Sequence, residues 1–154
     1  ILDAREKLGY DDPEYMGMLV ELYVMAGMPE EGLALLGELF EIVEAKNDHS
    51  YEPELFRLKG ELLLNRAGAD RPILDEVAGE IENCFHQALE IARKQGARSF
   101  ELRAAISLGR LLKERDRTEE GRRILSDVYR CLGFGWLGTH ADVKVFLTRD
   151  ARAE

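Results

Sequence analysis

Residues 16–43, Met16 to Val43, read MGMLVELYVMAGMPEEGLALLGELFEIV, and the spacing of their apolar side chains decides the fold. Met16, Leu19, Val20, Tyr23 and Val24 follow i, i+3, i+4, i+7, i+8, the period of one face of an α-helix. Gly27-Met28-Pro29 interrupts, and Leu33, Leu36, Leu39, Phe40 and Val43 resume the period. A glycine tolerates the left-handed conformation that ends a helix, and a proline is favoured in the first turn of the next. The stretch predicts two helices joined by a short turn.

Outward from it, the pattern recurs. Leu55, Leu58, Leu62 and Leu63 precede Val77, Ile81, Cys84, Phe85, Ala88, Leu89 and Ala92; Leu102, Ala105, Ile106, Leu108 and Leu112 precede Ile124, Leu125, Val128, Tyr129 and Leu132. No segment alternates with period 2, so the chain reads as all-α. Pro13, Pro29, Pro53 and Pro72 fall at helix starts or between helices, and Thr118 with Glu119 and Glu120 suits a capped N-terminus. Gly32 and Gly121 open second helices, while Gly60 and Gly109 lie inside first helices. There a glycine costs about 1 kcal/mol against alanine, tolerable where a neighbouring helix approaches closely. Pair follows pair every 34–45 residues or so, the range of helical-hairpin solenoids.

Leu19, Tyr23, Gly27, Gly32, Leu36 and Leu39 resemble the tetratricopeptide pattern; Leu108, Gly109, Leu112, Gly121, Leu125 and Val128 match it again, with Asp116 at the turn-glycine position. The middle pair (Gly60, Leu63, Ile81, Phe85, Ala88) fits with an insertion over Ala69–Asp75. The blocks 51–64, 84–95 and 99–105 are similar to the C-terminal helical regions of bacterial signalling proteins that carry a cyclase or transcription-regulator domain and a P-loop ATPase module. The resemblance covers about residues 14–148. It implies a right-handed solenoid of hairpins at 14–46, 54–95 and 98–132 with a terminal helix at 139–149, and residues 1–9 as the tail of a preceding hairpin. Together with the missing initial Met, it marks the chain as an expected fragment of a larger multidomain protein.

The net charge of −9 is uneven. Residues 1–56 hold 3 basic and 14 acidic groups (−11), residues 57–97 hold 6 and 7 (−1), and residues 98–154 hold 12 and 9 (+3). An acidic front end argues against direct nucleic-acid binding. No apolar run approaches the roughly 18 residues that span a bilayer, and no secretory pattern opens the chain. Cys84 and Cys131 lie far apart in helical patterns, as buried thiols in a reducing cytoplasm do.

Gly133-Phe134-Gly135-Trp136-Leu137-Gly138 spells G-x-G-x-x-G, but a dinucleotide turn needs a strand before it, and Ile124 to Leu132 is a helical stripe. The loop reads instead as a helix terminator followed by an aromatic cover for the last repeat. There is no G-x-x-x-x-G-K-[ST] P-loop. Glu82, His86 and Glu90 share one helix face, where a solvated ion-paired surface is favoured over a metal site because no second ligand pair accompanies them. His49, His86 and His140 do not cluster, and Ser99, Ser107 and Ser126 have no histidine at a nucleophile spacing. The expectation is no catalytic activity, no cofactor and no metal.

A binding role has residues behind it. In tetratricopeptide arrays the first helix of each pair lines a concave groove, and the resemblance places Glu14, Glu21, Arg57, Glu61, Asn65, Arg103, Arg110 and Lys113 on it. That groove would run from acidic to basic and suit a complementary helix or extended peptide. The same residues equally fit exposed polar positions on helices stacked against neighbouring repeats. The expected function is a cytoplasmic scaffold for a protein partner or neighbouring domain; a small-molecule inducer sensor and a self-assembling homodimer are the alternatives.

Overall fold

Asp12 starts the first helix with a side-chain cap: it accepts the Glu14 N–H at 2.8 Å, and Pro13 fills the first helical position. The computed structural model describes residues 12–68 and 75–132. They form α1 (Pro13–Ala26), α2 (Pro29–Lys46), α3 (Glu52–Ala67), α4 (Asp75–Gln95), α5 (Arg98–Glu114) and α6 (Thr118–Leu132), with no strand among the described residues. The all-α expectation holds for the described residues. The residue 1–9 tail, nearly all of the 69–75 insertion, the 133–138 glycine loop with Trp136, and the 139–149 helix lie outside the described residues. Thr118 is the first residue of α6, inside the helix it was expected to cap.

Four helices end in one way. Gly27 (φ 65°), Asn47 (φ 51°), Gly96 (φ 68°) and Asp116 (φ 59°) each adopt the left-handed conformation. The next N–H then reaches back six residues in count: Met28 to Tyr23 O (3.0 Å), Asp48 to Val43 O (3.2 Å), Ala97 to Ala92 O (2.9 Å) and Arg117 to Leu112 O (2.8 Å). Carbonyls that a helix end would strand are satisfied, and the chain is turned tightly into the next helix. Asp116 thus does the backbone work of Gly27, as short polar residues can.

Chain neighbours pack together, and α3 also contacts both α1 and α5. Two apolar clusters result. Met16, Val20, Leu36, Leu39, Val43, Leu55, Leu58 and Leu62 fill the space between α1, α2 and α3. The other joins Leu63 of α3 to Ile81, Phe85, Leu89, Leu102, Leu108, Leu112, Leu125 and Val128 of α4 to α6. Two interior glycines set how closely helices meet: a Cβ on Gly60 would lie 2.4 Å from Phe85 Cε1, and one on Gly121 would lie 3.2 Å from the Gly109 carbonyl oxygen.

In α1 the structure divides the apolar run. Met16 and Val20 are buried, but Leu19, counted on the same stripe, is 45% exposed. The helix is apolar on two sides, so periodicity alone could not choose the buried one.

Candidate functional site

Glu54 lies one and two helical turns before Leu58 and Leu62, in phase with the buried stripe of α3, and it is only 1% exposed. A carboxylate in that position needs partners, because burying an unpaired charge is costly. Arg57, on the same helix, supplies them: its Nε and one terminal nitrogen donate to Glu54 Oε1 at 2.9 and 2.6 Å. That nitrogen also donates to Glu21 Oε1 of α1 at 3.1 Å, and the other lies 3.5 Å from Glu61 Oε1. From α5, Arg103 donates to Glu21 Oε1 and sits 2.9 Å from Glu54 Oε1. The Ser107 hydroxyl, one turn further along α5, donates to Glu61 Oε1 at 2.5 Å.

Three carboxylates and two guanidiniums from α1, α3 and α5 therefore form one web with a net charge of −1. Burial alone pulls the Arg57 guanidinium down, but the Glu54 hydrogen bonds and the charges of Glu54, Glu61 and Glu21 outweigh it and hold its pKa above the usual value. Arg57 is a fixed cation. Glu54 Oε2 is buried and accepts no hydrogen bond.

Tyr51 closes one side of the web. Its ring occupies the space that a Cβ on Gly17 would need, 2.2 Å from Tyr51 Cε1, and it meets Phe100 edge-on with centroids 5.4 Å apart. Burial, then the negative charge of Glu54, push its phenol up to about 12. The hydroxyl stays protonated at neutral pH.

Of the eight residues assigned to the groove, Glu21, Arg57, Glu61 and Arg103 belong to this web. Asn65 is close by in a different role, donating from Nδ2 to the Val24 carbonyl at 2.7 Å near the end of α1. Glu14 is exposed on α1, and Arg110 and Lys113 are exposed on α5. Sequence reading missed Glu54 and Ser107, and also Glu101, which is buried and bonded to Arg93 and Arg98 at 2.9 and 2.7 Å. The available signal was phase: Glu54 and Glu101 stand on the apolar stripes of their helices, where a solvated charge does not belong.

Elsewhere, Glu82 lies 3.6 Å from His86 and 2.8 Å from Arg117, while Glu90 pairs with Lys94 at 2.7 Å; that helix face is ion-paired. The Lys94 hydrogen bond and charge hold the Glu90 carboxyl below its usual range. Glu44, His49 and Glu52 bring one ligand atom each within 4.8 Å of one another at the α2–α3 turn, a grouping that could hold a divalent cation. His49 Nδ1 is 3.3 Å from Glu52, and the His49 carbonyl accepts from Gln95 Nε2 at 2.7 Å, so the turn is anchored to the end of α4. No helix among the described residues is long and apolar enough to cross a membrane. No family model, curated protein or solved structure matches the chain.

Proposed function

We propose that this chain is a tetratricopeptide-type helical scaffold in which the first helices of three hairpins line a groove for a protein partner or a neighbouring domain of a larger cytoplasmic signalling protein. The observation that carries the reading is the web through Glu21, Glu54, Arg57, Glu61, Arg103 and Ser107, which fastens α1, α3 and α5 side by side. A groove needs its lining helices held in fixed relation, and a bonded seam along those three helices supplies that. Exposed charges then lie along it, Glu14 at the α1 end and Arg110 and Lys113 at the α5 end. A partner with the opposite polarity would be oriented by that gradient before close contact.

The test is site-specific photocrosslinking in the parent protein. A photoreactive residue in place of Glu14 or Arg110 should join one recurrent partner or one neighbouring domain. The same residue in place of Glu80, exposed on α4, should not. Equal products from both positions, or none from either groove position, would refute the groove. Charge reversal at Arg110 and Lys113 together should weaken the captured interaction at least tenfold, since interface charges act together in register and on-rate.

A further inference from the structure

α1 has more apolar surface than its packing uses. Met16, Gly17 and Val20 are buried against the rest of the fold. Around the helix from them, Tyr15, Met18, Leu19, Leu22 and Met25 are exposed, and Met28 of the following turn extends the row. Their exposures run from 40% to 79%, and they are the exposed large hydrophobic residues of the described chain. At 100° per residue, the five helical positions fall within an arc of about 120°, forming a stripe about 20 Å long from residue 15 to residue 28. A helix that is apolar on opposite sides is built to be covered on both. Single exposed apolar residues need no explanation, whereas a contiguous row marks an interaction surface.

The charge around the stripe selects what covers it. From Asp12 to Lys46, α1 with its cap and α2 carry eight carboxylates against one cation, Lys46 itself. Seven of those eight are exposed. Glu14 stands at one margin of the stripe, a quarter-turn from its centre, beside Glu21, whose charge is already met by Arg57 and Arg103. A second copy would bring another acidic hairpin against this one, and an anionic lipid surface would be repelled in the same way. Three of the six residues are methionines, whose unbranched, polarizable side chains adapt to an apolar helix face. We infer that the α1 stripe docks an amphipathic helix whose apolar face is flanked by lysine or arginine, supplied by a partner protein. This site adjoins the groove at Glu14 and Glu21 but lies on the outer face of α1, and its test turns on Tyr15, Met18, Leu22 and Met25, none of which tests the groove.

A fluorescein-labelled synthetic helix of 18 residues, leucine on one face and lysine or arginine elsewhere, titrated into the full chain by fluorescence anisotropy, tests the inference. A second peptide keeps the leucines and replaces the basic residues with glutamate. The basic peptide should bind at least tenfold more tightly at low salt, with the difference shrinking as salt rises. Leu22→Ser with Met25→Ser should weaken it at least tenfold, and Tyr15→Ser with Met18→Ser should do the same. These positions are exposed, so circular dichroism should remain that of the parent. Arg110→Ala, on α5, should leave peptide affinity unchanged.

Equal affinity for both peptides, or binding indifferent to both serine pairs, overturns the inference. So does a concentration-dependent dimer in light scattering that Leu22→Ser with Met25→Ser dissolves, because the occupant is then a second copy. Adsorption to phosphatidylglycerol vesicles that the same variant abolishes points to a membrane and equally sinks it.

Discussion

Glu54 and Arg57 depend on each other more than on anything around them. Breaking a buried pair leaves a charge without compensation, which costs about 3–5 kcal/mol, whereas replacing both members together is far milder. Arg57→Met should therefore lower the urea-unfolding free energy by about 3 kcal/mol, less if Arg103 moves to cover Glu54. Adding Glu54→Gln to Arg57→Met should restore part of that loss, because a neutral amide remains where a stranded carboxylate was. If the double variant is no more stable than Arg57→Met alone, the pair is not coupled as its geometry requires. At this scale the sequence is half legible. Sequence reading singled out Arg57, Glu61 and Arg103 together, as expected groove positions. That they are bonded to one another was not legible, because Glu21 lies 36 residues from Arg57 and 82 from Arg103, and periodicity within one helix says nothing about its neighbours.

Helices differ in how fully their glycines are used. A methyl group on Gly60 would enter the ring of Phe85, which is itself fully buried. Gly60→Ala should destabilise by about 1–3 kcal/mol despite the gain in helix propensity. Gly37 and Gly79 lie inside α2 and α4 with nothing within 4 Å of an added Cβ. Alanine at either should stabilise by about 0.5–1 kcal/mol, the ordinary difference in propensity. Urea midpoints of the three variants give the comparison, and a stabilising Gly60→Ala would contradict the close α3–α4 approach. Element identity was legible throughout, since turn residues and the 3.6-residue period agree at every helix described. The buried side of α1 was not, because Leu19 and Val20 both satisfy the period and only contact with α2 and α3 selects Val20.

Across the molecule, α3 is shared by two apolar clusters, one toward α1 and α2 and the other toward α4, α5 and α6. Among the described residues α1 leaves the most apolar surface exposed, so it should open first. Native-state hydrogen exchange should find the slowest amides in α4 and α5 and the fastest helical amides among the described residues in α1. Slower exchange in α1 than in α5 would mean that something covers its stripe in solution. Thiol reactivity follows the same geometry: Cys84 is buried as its helical pattern implied, with burial pushing its thiol up, whereas Cys131, expected to be buried, is exposed. The order of packing was legible from hairpin succession, yet the α1–α3–α5 seam is a property of how hairpins stack and no local pattern encodes it. Mechanically, the Arg103 clamp acts as a cross-brace. Its guanidinium is half in solvent and ties the first helix to the fifth over the third. Concentrated salt screens that outer half while leaving the buried Arg57–Glu54 joint intact, so α1 and α5 should gain freedom to shift relative to each other about α3 without either helix melting.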